Sequence, residues 1–167
     1  STNKSNDDKK ILIAPTWCTN FYELNIHIKL KKIFDENKIN YVLRPHPMSL
    51  KKKEISLNGL VKNNINIDTS HELDFKKYSH LITDWSGIFI EFSIINKKFS
   101  TLINTKQKIR NIKSNEFPEL PLEITARNIL ANSLNVENIG EITRFLEMNN
   151  IDNEKIISKF YKENFFN

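Results

Sequence analysis

Leu81-Ile-Thr-Asp-Trp-Ser-Gly-Ile-Phe-Ile-Glu91 reads as a buried strand that runs straight into a helix, with Ser86 and Gly87 in the helix's first turn. Backbone N–H groups in a first turn have no intrahelical acceptor, so a small hydroxyl and a residue without Cβ at that point make a seat for phosphate. The chain holds only three glycines, Gly59, Gly87 and Gly140, and one of them falls at this strand-to-helix turn. That placement is the first sign of a nucleotide site.

A second segment supplies complementary chemistry. Tyr41-Val42-Leu43 is an apolar strand that delivers Arg44 and His46 to its carboxyl end, and Pro45 and Pro47 hold both residues extended on a stiff turn. A guanidinium and an imidazole so presented suit phosphate, although Arg44 can equally pair with an acidic neighbour.

Working outward, strands and helices alternate. Lys10 to Pro15 forms the first strand, residues 40 to 44 the second, Ile65 to Ile67 a third, and 80 to 83, 99 to 103 and 129 to 131 three more. A helix over 21 to 37 carries Tyr22, Ile26, Leu30, Ile33 and Phe34 on one stripe and leaves His27 on the solvated side with Glu23, Lys31 and Asp35. Residues 48 to 58 form a loop or short helix, and further helices are expected at 71 to 77, 86 to 96, from a cap at Asn135 to 149, and at 153 to 165, the last burying Ile156, Ile157, Phe160 and Tyr161. Residues 104 to 121 are basic and punctuated by Pro118 and Pro121, an irregular loop able to close over a ligand.

This alternation is that of βαβ units: an α/β, Rossmann-like, doubly wound parallel sheet of about six strands with right-handed crossovers. Ligands of such sheets lie outside the carboxyl ends of the strands. Thr16 and Trp17 follow the first strand, Arg44 and His46 the second, and Thr83, Asp84, Ser86 and Gly87 end the fourth, so all converge on one edge. Asp84 reads foremost as a cap on the following helix, and each tryptophan is either a core ring or a platform beside the base.

Composition sets the bounds. A chain of 167 residues is one domain or one and a tail, and its single cysteine, Cys18, cannot close an intramolecular disulfide. The expected division is a linker or chain end over 1 to 10, a nucleotide-binding domain over 11 to 150 and a carboxyl-terminal helix over 151 to 167, the whole a piece of a longer polypeptide. A net charge of +5 attracts nucleotides, anionic lipid or nucleic acid alike, but no basic motif with interleaved stacking aromatics points to nucleic acid. The four histidines lack metal-ligand spacing, so no metal is expected. Neither a signal peptide nor an apolar run of transmembrane length is visible, and the reading is a cytoplasmic one.

Three segments together resemble the CDP-glycerol glycerophosphotransferases, the family of teichoic-acid and capsule polymerases. Ala14-Pro15-Thr16-Trp17 is similar to that family's Pro-Thr-Trp turn, Leu43-Arg44-Pro45-His46-Pro47 to its Arg-Pro-His-Pro element, and Leu81 to Gly87 to its Thr-Asp-Tyr-Ser-Ser strand and turn. The resemblance implies the C-terminal, nucleotide-binding half of a GT-B enzyme. It also implies a CDP-alditol donor, no cofactor, His46 beside the diphosphate as the catalytic histidine, Ser86 on phosphate and Glu91 on the ribose hydroxyls. A polymer or lipid-linked acceptor would be bound through a missing N-terminal domain, with peripheral contact at the inner face of the plasma membrane. The chain departs from the pattern at Cys18, where the family has arginine, and at Trp85 and Gly87, where it has tyrosine and serine. The Ser86-Gly87-x-x-x-Glu91 spacing is equally similar to the UDP-N-acetylglucosamine 2-epimerase group, so a nucleotide-sugar domain stands as one alternative and a noncatalytic α/β binding module as another.

Overall fold

The computed structural model describes residues 9–108 and 122–166. Five parallel strands, β1 (Lys10–Ile13), β2 (Tyr41–Leu43), β3 (Tyr78–Thr83), β4 (Ser100–Asn104) and β5 (Ala131–Asn135), form one sheet in the order β2-β1-β3-β4-β5. Register pairs Ile11 with Tyr41 on one side of β1, and Leu12 with Leu81 on the other.

Side chains alternate along each strand, and the two sets fill two separate cores. Ile11, Ile13, Tyr41, Leu43, Ile82 and Ile103 face one layer of helices, whereas Leu12, Ala14, Val42, Leu81 and Leu102 face the other. The first layer comprises α1 (Ile26–Glu36), α3 (Leu57–Lys62) and α6 (Ile142–Asn149), supplying among others Leu30, Phe34, Leu60 and Leu146. The second comprises α4 (Ile88–Asn96), α5 (Leu122–Leu130) and α7 (Glu154–Phe165), supplying Phe89, Phe92, Ala126, Leu130, Ile157 and Phe160. Burial on both faces explains why the strands read as continuous apolar runs. The α/β, doubly wound parallel architecture is as the alternation predicts, with five strands in place of six.

Several elements differ from expectation for identifiable reasons. The segment expected as a third strand shrinks to a single parallel bridge between Ile67 and Leu43, held by Leu43 N–H to the Asn66 carbonyl at 2.8 Å and Asp68 N–H to the Leu43 carbonyl at 2.9 Å. Residues 48 to 58 hold one short helix, α2 (Pro47–Lys51), and the start of α3, whose Ser56 hydroxyl caps it by accepting from Gly59 N–H. The helix expected over 71 to 77 is a single 3₁₀ turn at Phe75–Lys77. α1 begins five residues late, because Asn25 takes a left-handed conformation (φ 53°) that ends a tight turn and starts the helix at Ile26. Ile129 lies in α5 rather than in a strand, and β5 follows it without a loop. Asn135 spends its side-chain oxygen on Asn104 instead of capping a helix, and a 3₁₀ turn at Val136–Glu141 leads into α6. Ile156 is exposed on the outer side of α7. The segment expected as a loop falls from residue 109 onward outside the described residues, as does the terminal stretch 1 to 8.

From β1 the chain goes to β2 on one side and β3 on the other, so the strand order reverses between β1 and β3. The carboxyl ends of these two strands border the crevice where a ligand of such a sheet binds.

Candidate functional site

Asp84 sits at the end of β3, directly on that crevice, and is completely buried. Its carboxylate accepts from Thr16 N–H at 2.7 Å, from the Thr19 hydroxyl at 2.9 Å and from the Thr105 hydroxyl at 3.1 Å. Three loops, those after β1, β3 and β4, are therefore riveted to one side chain. Burial pushes the Asp84 carboxyl above the ordinary carboxylate range, and the hydrogen bonds oppose that push. Asp84 is thus a structural carboxylate that ties loops together, not the cap of α4, whose N-cap residue is Gly87 and has no side-chain bond. Thr83 is equally buried and closes the β1–β3 edge by donating its hydroxyl to the Ala14 carbonyl at 2.6 Å.

Trp85, Ser86 and Gly87 form the turn into α4. The Trp85 indole N–H donates to the Thr105 carbonyl at 2.7 Å. The Ser86 hydroxyl lies 3.4 Å from Ile88 N–H, and Gly87 has ordinary helical angles, φ −71° and ψ −6°. The turn therefore does not require glycine for its conformation. Glu91 is exposed on the first turn of α4.

At the end of β2, Arg44 N–H joins the Ile13 carbonyl at 2.8 Å, holding the Arg44–Pro47 turn beside the end of β1. His46 is the N-cap of α2, with extended backbone and Nδ1 accepting from Met48 N–H at 3.0 Å; Pro47 stands at the first helical position. That bond places the neutral ring's proton on Nε2. The imidazole lies nearly parallel to the Trp17 indole, with centroids 6.3 Å apart and planes at 22°. The Arg44 guanidinium donates to Asp68 at 3.0 Å and to the Ser70 hydroxyl at 3.2 Å. Burial alone would raise the Asp68 carboxyl, but hydrogen bonds from Ser70 and the Arg44 charge hold it below the usual carboxylate range. Beside this pair a cavity of about 280 Å³ is lined by Arg44, Pro45, Pro47, Asp68, Ser70 and His71.

The residues singled out in the sequence are therefore brought to one edge, but in two grades. Trp17, Arg44, His46 and Ser86 are half-buried at the rim, whereas Thr83 and Asp84 lie beneath it with their polar atoms engaged by the protein. A larger cavity of about 450 Å³ opens at the opposite end of the sheet, between Lys9, Asn40, His80 and Glu147. It is far from the carboxyl ends of the strands and lacks the convergent loops.

Sequence reasoning missed Asp68, Thr105 and Arg127. Arg127 is buried on α5, donates from Nη1 to the Asp84 carbonyl, and places its guanidinium 4.1 Å from the centre of the Trp85 ring. Its signal was present in Leu122, Ala126 and Leu130 at i, i+4 and i+8, which put the neighbouring arginine close to a core-facing stripe.

The chain matches the sequence profile of the CDP-Glycerol:Poly(glycerophosphate) glycerophosphotransferase family over residues 1–100. No curated protein sequence matches it. Two solved structures of the wall teichoic acid polymerase TagF share its fold. A histidine-to-asparagine form soaked with CDPG aligns with TM-score 0.50 and 21% identity, covering 96% of this chain and 37% of that one. A histidine-to-alanine form aligns with TM-score 0.50 and 20% identity over 96% and 40% of the two chains. The chain thus spans well under half of those polymerases. Among the described residues, no helix is long and apolar enough to cross a membrane. With well over half of its residues inside the matched region, the chain belongs to the CDP-glycerol:poly(glycerophosphate) glycerophosphotransferase family.

Proposed function

We propose that this chain is the donor-binding part of a transferase that moves an alditol phosphate from a CDP-alditol, such as CDP-glycerol or CDP-ribitol, to an acceptor hydroxyl. The observation that carries the reading is the meeting of three turns at the β1/β3 switch point in a chain of this family: Thr16–Trp17 and Ser86–Gly87 are tied through Asp84, and Arg44–His46 is tied to the end of β1 by Arg44 N–H.

In this reading the N-terminus of α4 and the Ser86 hydroxyl receive the donor diphosphate, with Gly87 leaving room for it. Arg44 and His46 approach from the β2 side, Trp17 stacks on His46, and Glu91 accepts from ribose hydroxyls. Thr16, Thr83 and Asp84 hold the loops in register. The acceptor hydroxyl, its proton taken by a base held outside this domain together with the acceptor, attacks the phosphorus that carries the alditol, the bond to the bridging oxygen breaks, and CMP departs. The His46 Nε2–H donates a hydrogen bond to that oxygen and stabilises the charge developing on it. The acceptor, a growing polymer or lipid-linked chain, is held outside this domain, and in this reading the enzyme works in the cytoplasm with peripheral contact at the inner face of the plasma membrane.

Calorimetric titration with CDP, CDP-glycerol, UDP and UDP-N-acetylglucosamine tests the reading. The cytidine diphosphates are expected to bind more tightly than either uridine ligand. Tighter binding of a uridine ligand would favour a nucleotide-sugar enzyme, consistent with the Ser86-Gly87-x-x-x-Glu91 spacing, and no binding of any would favour a noncatalytic module.

A further inference from the structure

Arg127 is 8% exposed, yet among the described residues it forms no ion pair. Burial pushes its guanidinium below the ordinary arginine range, and the nearby Asp84 charge only partly opposes this. A methionine or leucine would fill the same space without that desolvation cost. What only the guanidinium supplies is threefold. It donates to the Asp84 main-chain carbonyl and, from Nη2, to the Asn104 side-chain oxygen at 3.5 Å, covers the Trp85 ring at 4.1 Å, and sets a positive charge behind the turn that carries Ser86. The indole is held on its other polar side by the Thr105 carbonyl at 2.7 Å, so Trp85 is clamped between α5 and the loop after β4.

We infer that Arg127 is a positioning residue for the donor diphosphate: by fixing Asp84 and Trp85 it sets the turn that presents Ser86 and the α4 N-terminus. The inference rests on the functional reading above. It adds to it a residue that touches no ligand and lies outside the three motifs, on a helix 40 residues further along the chain than the turn it controls. The guanidinium acts through geometry on the phosphate end of the donor and leaves the nucleoside end untouched. Loss of Arg127 is therefore expected to weaken recognition of the diphosphate selectively.

The test compares wild type with Arg127→Met and Arg127→Gln, measuring affinities for CDP and for cytidine by NMR titration after folding is checked by thermal melting. Both variants are expected to lose roughly tenfold in CDP affinity while cytidine affinity stays within about twofold, so that the CDP-to-cytidine ratio falls. In a Trp17→Phe background, which leaves Trp85 as the sole indole, Arg127→Met is expected to shift tryptophan emission to longer wavelength as the ring loses its cover. Should the methionine variant fail to melt cooperatively, the glutamine variant, which is polar but lacks the guanidinium's charge and its cover of Trp85, supplies the same ratio. A folded variant with an unchanged ratio, or with CDP and cytidine weakened equally, overturns the inference and leaves the functional reading standing. A wild-type chain that binds neither ligand overturns both.

Discussion

His27 lies inside the first core, 7% exposed and edge-on to Tyr22, with ring centroids 5.1 Å apart and planes at 71°. Its neighbours in sequence, Glu23, Lys29 and Lys31, argue for a solvated side of α1, but the turn that brings Phe21 and Tyr22 over the helix start covers it. Nδ1 is buried without a hydrogen-bond partner among the described residues, and burial lowers the imidazole pKa to about 4. The sign of the consequence is fixed. Between about 6.5, the ordinary value, and the folded value the unfolded chain binds a proton that the folded chain refuses, so this stabilisation is complete above that range and is lost as pH falls through it. His80 contributes with the same sign, since burial lowers it despite the bond its Nε2 donates to the Leu146 carbonyl at 2.8 Å. His27→Phe removes both the titration and the unpaired nitrogen. Melting at pH 7, 6 and 5 is expected to show a flatter decline for that variant than for wild type, and identical slopes would sink the assignment of this pH dependence to His27.

At the scale of elements, α2 is too short to stand without its cap, and the cap is the proposed catalytic histidine. The two roles use different ring nitrogens and can be separated. Asparagine is also a strong N-cap residue but offers no imidazole proton, whereas alanine offers neither. His46→Ala is therefore expected to cost about 1 kcal/mol of stability, and His46→Asn a smaller amount. In an assembled transferase containing this domain both are expected to lower turnover by about 10²-fold or more. Normal turnover in His46→Asn would return His46 to a purely structural role. The same element shows why the sequence was legible here: Pro45 and Pro47 dictate an extended turn and a helix start through covalent geometry alone. Elsewhere the decisive forces were not local. Ile65 to Ile67 has the residue types of a strand, but only Ile67 pairs with β2, at the open edge of the sheet, so length of pairing was invisible in composition. In α5, polar Thr125, Arg127 and Asn128 obscured the Leu122–Ala126–Leu130 stripe that packs on Phe89 and Phe92 of α4.

For the whole molecule, the two-sided sheet makes a rigid platform whose carboxyl edge carries every rim residue named in the sequence, while the opposite edge carries the cavity of about 450 Å³. The placement was readable because strand order in a parallel sheet leaves few choices for where loops meet. The rivet beneath them was not, because Asp84 gathers partners separated from it by 68, 65 and 21 positions, and no local pattern announces such a meeting. A ligand that binds only the folded state adds stability by mass action, about 2.7 kcal/mol at a hundredfold excess over its dissociation constant. For a chain of this length that corresponds to a rise in melting temperature of roughly 5–10 °C. CDP at that excess is accordingly expected to raise the transition. Hydrogen exchange is expected to slow at the backbone amides of 16 to 20 and 86 to 89, where the loops surround the proposed diphosphate seat, and to remain unchanged around Lys9, Asn40 and His80. Protection confined to that opposite edge would move the ligand to the other cavity and defeat the switch-point assignment, even if the melting temperature rose as expected.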